Sequence, residues 1–226
     1  EESKVREVMC AYQRYDNEPC CSSTRLLQDI LRNEWGFKYL VVSDCGAVSD
    51  IHENHKVASD AVHSSARATL AGTDVECGFN YAYKSIPEAV KRDLIKESEV
   101  DKHVIRLLEG RFDLGEMDDP SLVEWSKIPS SVLESKEHLQ IALDIARQSI
   151  VLLQNNNNVL PLAKNEKVAV IGPNANDKVM MWGNYNGTPT TTSTVLDGVR
   201  LYNKKVKYMQ GCDLTDNKIV TDVFDQ

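Results

Sequence analysis

The sequence lacks the signatures of several large classes of protein. No apolar run approaches the roughly 20 residues that a membrane-spanning helix requires. No basic stripe with interleaved aromatic residues indicates nucleic-acid binding. None of the six cysteines forms a CxxC pair, so a zinc ribbon or a thioredoxin-type motif has no support. Six cysteines in 226 residues are also too sparse for a disulfide scaffold. We therefore expect no membrane span and no nucleic-acid partner.

What is present is the composition of a globular protein. Hydrophobic residues make up 42% of the chain and charged residues 27%, and 26 Lys and Arg against 34 Asp and Glu give a net charge of −8. The length suffices for one large domain or two ordinary ones. The chain opens on EESKVREVMC with no charged-then-apolar leader, which we interpret as an internal start. Any export signal is then expected outside this sequence.

Short apolar runs alternate with helical patterns in the first half. Predicted strands are VREVMCAY (5–12), YLVVSD (39–44) and GTDVECG (72–78). The spacing of apolar residues predicts helices at 22–36 and 59–72, each closed by a glycine. Strand and helix in alternation are the repeating unit of a parallel α/β architecture.

A change of composition divides the chain. The polar, proline-containing stretch 116–135 predicts a linker between two domains. Beyond it, 135–154 predicts a long amphipathic helix, and KVAVIGPNAND (167–177) predicts a strand that runs into a loop. We therefore predict two α/β domains, at 1–115 and 136–226.

Histidines and acidic residues crowd the segment SDIHENH (49–55). His52 and His55 lie three residues apart around Glu53, whereas the zinc motif HExxH requires four. A metal site, a contact to substrate and a hydrogen-bonded polar loop stay open, and the loop is favoured. A dinucleotide site at 167–177 is disfavoured, because one glycine stands where the fingerprint needs three.

Asp44 is the strongest candidate for chemistry. It is the final residue of the predicted strand 39–44 and is followed at once by Cys45 and Gly46. Residues at the carboxyl ends of barrel strands line active sites, and a carboxylate held by a rigid element suits a nucleophile. The alternative is that Ser43 or Asp44 caps a following helical turn. The pattern alone leaves both open.

Several ordered segments together resemble glycoside hydrolase family 3. They are VMCAYQRYDNEPC, VVSDCGAV, AGTDVECG, VIRLLEGRFDLGEMDD, ALDIARQSIVLLQNNNNVLPL, VAVIGPNAND, GNYNGTPTTT and GCD. The resemblance implies the C-terminal part of a (β/α)8 TIM-like barrel, followed by the start of an α/β sandwich domain. In that family an aspartate closes the seventh barrel strand and acts as nucleophile, and Asp44 matches this position.

The resemblance implies a retaining exo-β-glycosidase without cofactor or metal. VVSDC is similar to the β-xylosidase branch, which implies terminal non-reducing β-xylosyl residues of xylo-oligosaccharides as substrate. A β-glucosidase, or a non-catalytic fragment that needs a complementary chain, is the alternative. The acid/base and several sugar ligands of the family are expected in the remainder of the same enzyme, upstream and downstream. A periplasmic or secreted location is expected from the family.

Further substrate contacts are implied at Tyr12, Cys45, Cys77 and Tyr185. Tyr12 ends the segment that matches the sixth barrel strand, near the nucleophile. Cys45 and Cys77 match neighbouring strand ends, so we expect them to lie close together, either as a disulfide beside the sugar or as two free thiols. Tyr185 in GNYNG matches a region where second-domain aromatics of the family often stack on the leaving sugar, and an exposed aromatic of a loop is the alternative.

Overall fold

The computed structural model describes residues 3–78 and 81–215. It mixes helices and strands, as expected for an α/β chain, and divides into two compact units, Glu1–Ile128 and Pro129–Gln226. The assignment of 116–135 as an interdomain linker stays a prediction.

The elements are named in chain order. The strands are β1 (Glu7–Cys10), β2 (Arg14–Tyr15), β3 (Glu18–Pro19), β4 (Leu40–Ser43), β5 (Ala169–Ile171) and β6 (Lys207–Met209). The helices are α1 (Arg25–Glu34, with π-type hydrogen bonds), α2 (Ala47–Glu53), α3 (Ala61–Ala71), α4 (Ile86–Lys91), α5 (Glu97–Asp113), α6 (Lys136–Ser149) and α7 (Val195–Tyr202). Short 3₁₀ turns lie between several of these elements.

A short parallel sheet lies at the centre of the first unit. β1 pairs in parallel with β4, with Cys10 opposite Ser43. The pattern at 72–78 predicts a third strand, but the structure has a parallel bridge there, between Val42 and Val75, in place of a strand. The Ser43 N–H also donates to the Val75 carbonyl at 2.8 Å, so this segment still follows the edge of β4.

Helix α3 is bounded by the local signals that the sequence contains. The Asp60 side chain accepts a hydrogen bond from the His63 N–H and caps α3 at its start. Gly72 ends α3 with φ 111°, in the left-handed region that glycine favours. A Cβ at Gly72 would lie 2.6 Å from Nε2 of Gln28, so glycine also lets α3 approach α1 closely.

Helix α2 corrects the expectation of a polar loop at 49–55. The helix begins at Ala47, directly after the left-handed Gly46 with φ 82°. Val48 and Ile51, three residues apart, are completely buried in one apolar cluster with Ala68 of α3. Because these two residues form an apolar face, the segment folds as a helix despite its many polar side chains.

The second unit, taken by itself, has its own parallel pair of strands. β5 pairs with β6, with Ala169 opposite Lys207. Thr194 caps α7 in a capping box with Asp197, whose side chain accepts from the Thr194 N–H in return. The predicted helix 135–154 is observed as α6, which ends at Ser149.

Candidate active site

The carboxyl ends of β1 and β4 position Asp44. β4 ends at Ser43, so Asp44 is the first residue after the strand, whereas the sequence pattern predicts it as the last residue of the strand. The Asp44 N–H donates to the Cys10 carbonyl at 3.0 Å, which extends the pairing of the two strands by one residue. The half-buried Asp44 side chain therefore stands on a backbone that is fixed by the sheet.

The side chains of Ser43 and Asp44 both accept hydrogen bonds from backbone N–H groups. Asp44 Oδ1 accepts from the Cys45 N–H at 2.7 Å, and Ser43 Oγ accepts from the Cys77 N–H at 3.0 Å. Gly46 stands at the N-cap of α2, without a side-chain hydrogen bond. The nucleophile role of Asp44 and its capping alternative both stay predictions.

Cys45 and Cys77 lie together beside Asp44. They form a disulfide with Cα atoms 4.4 Å apart, which confirms the expected proximity. The Gly46 N–H donates to the Cys77 carbonyl at 2.7 Å. Gly78 has φ 138°, and a Cβ there would lie 2.9 Å from the Gly46 nitrogen, so glycine permits this close approach. The contact of both cysteines with a sugar stays a prediction.

Tyr12 reaches the same place from the end of β1. Its hydroxyl donates to the Cys45 carbonyl at 2.7 Å, and 44% of the residue is exposed. The structure thus brings together four of the five predicted site residues: Tyr12, Asp44, Cys45 and Cys77. Tyr185 belongs to the second unit and is 92% exposed, so its contact with a leaving sugar stays a prediction.

The histidines of the segment 49–55 have separate partners. His52 Nδ1 lies 3.0 Å from Ser64 Oγ. His55 Nε2 lies 2.7 Å from the Tyr12 carbonyl oxygen, and its Nδ1 lies 3.1 Å from Arg14 Nε. Within residues 3–78 and 81–215, no group of three or more His, Cys, Asp or Glu could hold a metal ion. The metal alternative for this segment therefore has no support in the described residues.

A buried cluster of charged residues contacts β4, the strand that precedes Asp44. The Asp74 side chain has no exposed surface, and Oδ2 accepts from Arg32 Nη2 and from the Val41 N–H of β4, both at 2.8 Å. Its Oδ1 accepts from His103 Nδ1 at 2.6 Å and from Arg106 Nη1 at 2.7 Å. This cluster ties helices α1 and α5 to β4, at a residue three positions before Asp44.

The electrostatics of the cluster keep Asp74 ionised. Burial alone raises the pKa of this carboxyl, but hydrogen bonds from His103, the Val41 N–H and Arg106, with the charge of Arg32, bring it below its ordinary value. Burial also lowers the pKa of Arg32, which Asp74 partly offsets. Each charge is therefore stable in the interior only while its partner is present.

Glu76 is a second buried carboxylate of the segment 72–78. Burial raises the pKa of Glu76, while hydrogen bonds from the Tyr83 and Ala82 N–H groups, at 2.7 and 3.0 Å, act in the opposite direction. Asp74 and Glu76, the two acidic residues of TDVECG, thus accept hydrogen bonds from neighbouring protein groups. Both stabilise the structure around the site.

A disulfide between Cys10 and Cys21 was not predicted. It joins the end of β1 to the turn after the hairpin β2–β3, with Cα atoms 5.1 Å apart. Counting cysteines cannot reveal such a pair, because connectivity depends on the fold. The hairpin itself has a readable signal, since Asp16 and Asn17 form its turn with φ of 48° and 65°.

We expect mass spectrometry without reduction to find linked peptides for Cys10–Cys21 and for Cys45–Cys77. Iodoacetamide on the folded protein should label the exposed Cys212 first. Cys20 should react slowly, because it is buried and burial raises the pKa of its thiol. Labelling of both Cys45 and Cys77 before reduction would contradict the second bridge.

Comparison with known proteins follows the same division of the chain. The family model described as "Glycosyl hydrolase family 3 N terminal domain" matches residues 2–109, and "Glycosyl hydrolase family 3 C-terminal domain" matches residues 150–222. The chain belongs to glycoside hydrolase family 3. Its segment VVSDCGAV, with Asp44, lies within the part that matches the N-terminal family domain.

Relatives in this family are similar over nearly the whole chain. A xylan 1,4-beta-xylosidase of Xylanibacter ruminicola is 71% identical over 97% of the chain, and a probable beta-D-xylosidase 7 of Arabidopsis thaliana is 38% identical over 94%. A solved GH3 exo-beta-xylosidase in complex with a xylobiose aziridine activity-based probe is 34% identical, with a TM-score of 0.80 over 96% of the chain. The chain spans 26% of the first relative, 28% of the second and 28% of that solved chain.

Proposed function

We propose that the protein containing this chain is a retaining exo-β-glycosidase that releases terminal non-reducing β-xylosyl residues from xylo-oligosaccharides. The observation that carries this proposal is the position of Asp44. Its carboxylate follows a strand of the parallel sheet, is oriented by the Cys45 N–H and lies among Tyr12, Cys45 and Cys77. The similarity to a xylan 1,4-beta-xylosidase and to a solved exo-beta-xylosidase supports a xylosyl substrate.

The proposed chemistry uses Asp44 as a nucleophile. The Cys45 N–H holds Oδ1 of Asp44 at 2.7 Å, which leaves Oδ2 to attack the anomeric carbon. The C–O bond to the leaving group breaks as the new bond to Oδ2 forms, and a second carboxylic acid protonates the leaving oxygen. Water then cleaves the glycosyl-enzyme. We propose that the acid/base and further sugar ligands come from the remainder of the same enzyme.

We propose a finer fold for both units. The parallel arrangement of β1, β4 and the Val75 bridge supports the last strands of a (β/α)8 barrel in the first unit. The parallel pair β5–β6 supports the start of an α/β sandwich in the second. We also propose a periplasmic or secreted location, because two disulfides within the first unit are typical of proteins from oxidising compartments.

A β-glucosidase of the same family is the second candidate. A solved beta-glucosidase from Listeria innocua in complex with glucose is 27% identical, with a TM-score of 0.76 over 95% of the chain. We favour the xyloside because the Cys45–Cys77 bridge stands directly beside Asp44, where it would limit the room for the hydroxymethyl group of a hexose. A higher kcat/KM on nitrophenyl β-glucoside than on nitrophenyl β-xyloside would reverse this choice.

Covalent labelling tests the proposed function. The complete gene product is incubated with an activated 2-deoxy-2-fluoro-β-xyloside, which slows both steps and lets a glycosyl-enzyme accumulate. We expect one fluoroxylosyl group on the peptide that contains Asp44, located by tandem mass spectrometry. The corresponding fluoroglucoside is the matched reagent and should label more slowly. A label on another carboxylate would remove Asp44 from its role. A product that is neither labelled nor active would favour a non-catalytic fragment.

A further inference from the structure

We propose that His55 is a positioning residue for Asp44, with Arg14 behind it, and that it acts through Tyr12 and Cys45. The inference rests on the proposed function, since it takes Asp44 as the nucleophile. It gives a role to a histidine of the segment 49–55, which forms no metal site with its neighbours in the described residues. A series of hydrogen bonds runs from Arg14 inward to the Asp44 carboxylate.

Arg14 determines which nitrogen of His55 is protonated. A guanidinium only donates hydrogen bonds, so Nδ1 of His55, 3.1 Å from Arg14 Nε, must be the acceptor. The hydrogen of the neutral ring is then on Nε2, which donates to the Tyr12 carbonyl at 2.7 Å. A second group of Arg14, Nη2, donates to the His55 carbonyl. His55 therefore bridges Arg14 and the backbone of Tyr12 in one defined tautomer.

Tyr12 links His55 to Cys45, because it bonds to His55 through its carbonyl and to Cys45 through its hydroxyl. Its hydroxyl donates to the Cys45 carbonyl at 2.7 Å, and the N–H of the same Cys45 donates to Asp44 Oδ1 at 2.7 Å. Cys45 is thus held at its carbonyl and through its sulfur, and it uses its N–H to orient the carboxylate. A shift of the Tyr12 backbone would move Cys45 and with it the oxygen that Asp44 presents.

Both outer ends of this series of hydrogen bonds lie on elements that are anchored by further contacts. Arg14 lies on β2, and the base of its hairpin is closed by the Cys10–Cys21 disulfide and by a hydrogen bond from the Cys20 N–H to the Gln13 carbonyl at 3.0 Å. His55 follows α2, and its N–H donates to the Asp50 carbonyl at 2.7 Å. The series therefore links two anchored elements across the site.

Loss of His55 should impair the chemical step more than binding. A displacement of about 1 Å at a reacting group can lower a rate by up to about 100-fold. For His55→Ala we expect kcat on nitrophenyl β-xyloside to fall about 10-fold with KM within about 2-fold, because the reacting oxygen is misplaced while the further sugar ligands, which we propose lie in the remainder of the enzyme, are unchanged. The rate of labelling by the fluoroxyloside, which reports the first step alone, should fall in parallel.

The experiment compares His55→Ala, His55→Gln and His52→Ala in the complete gene product, with Asp44→Ala beside them. Gln can still donate to the Tyr12 carbonyl, so His55→Gln should recover most of the kcat. His52→Ala removes a histidine of the same segment whose partners in the described residues are Ser64 and Glu53, and it should keep the wild-type kcat. A merely structural His55 would lower the melting temperature without this difference between Ala and Gln.

The outcomes separate the two proposals. Inactive Asp44→Ala with a wild-type kcat in His55→Ala overturns the positioning role and leaves the proposed function intact. Wild-type turnover in Asp44→Ala overturns the proposed function itself. If His55→Ala does not fold, Arg14→Ala on the exposed hairpin tests the same series: a reduced kcat with unchanged KM supports it, and a wild-type kcat contradicts it.

Discussion

Replacement of Asp44 by alanine is expected to lower kcat/KM on nitrophenyl β-xyloside by about 10⁴-fold or more, since loss of one member of a covalent catalytic site removes roughly 10⁴ to 10⁶ in rate. The fold should persist, because the Asp44 side chain is half-buried and its hydrogen bond to the next N–H is a local contact. The measurement is steady-state turnover by the complete gene product, with circular dichroism to establish that both proteins are folded.

Rescue of Asp44→Ala by azide would distinguish a lost nucleophile from another cause of inactivity. A small anion can occupy the space that the carboxylate leaves and attack the anomeric carbon from the same face. We expect azide to restore turnover of an activated xyloside in Asp44→Ala and to yield the α-xylosyl azide, identified by NMR. Asp29→Ala is the control, since Asp29 is an aspartate of α1 with a half-exposed side chain, and it should retain wild-type rates. An Asp44→Ala enzyme that keeps wild-type turnover would refute the assignment.

The Asp74→Asn variant is expected to cost about 3–5 kcal/mol in free energy of unfolding, the range found when one partner of a buried ion pair is removed. Asparagine fills the same volume but leaves Arg32, whose side chain is 8% exposed, without its counter-charge. The measurement is urea unfolding at neutral pH. Asp113→Asn is the matched control: Asp113 pairs with Arg6 at the surface, and its loss should cost at most about 1 kcal/mol.

The pH dependence separates charge from packing. The folded-state pKa of Asp74 lies below its unfolded value of about 3.9, so its stabilising contribution is present above that pH and is lost as the pH falls through the folded pKa. The stability difference between wild type and Asp74→Asn should therefore be largest at neutral pH and should shrink below about pH 4. A difference that stays constant to about pH 3 would attribute the effect to packing.

Local patterns and a family resemblance predicted the residues nearest Asp44. The apolar run 39–44 marked the strand, and the resemblance related Cys45 to Cys77 across 32 residues. Helix α2 was missed because only Val48 and Ile51 form its apolar signal, which is too short to outweigh the polar residues around them. The prediction of a third strand at 72–78 was wrong, since this segment meets β4 through an isolated bridge at Val75.

Contacts between distant segments could not be predicted. His55 meets Arg14 and the Tyr12 carbonyl across 41 and 43 residues, and one of these partners is a backbone atom that carries no sequence signal. The partners of the buried Asp74 lie on α1 and α5, and only the packing of both helices against β4 reveals them. Long-range polar geometry is a product of the fold, and sequence spacing does not encode it.

The two disulfides differ in the length of chain that each must close during oxidative folding. Cys10 and Cys21 are 11 residues apart, while Cys45 and Cys77 are 32 apart. In the unfolded chain, loop-closure entropy makes the longer ring less favourable by about 1 kcal/mol. The shorter ring should therefore form first and stabilise the hairpin that contains Arg14. The bond beside Asp44 then forms late, once the sheet has brought its two sulfurs together.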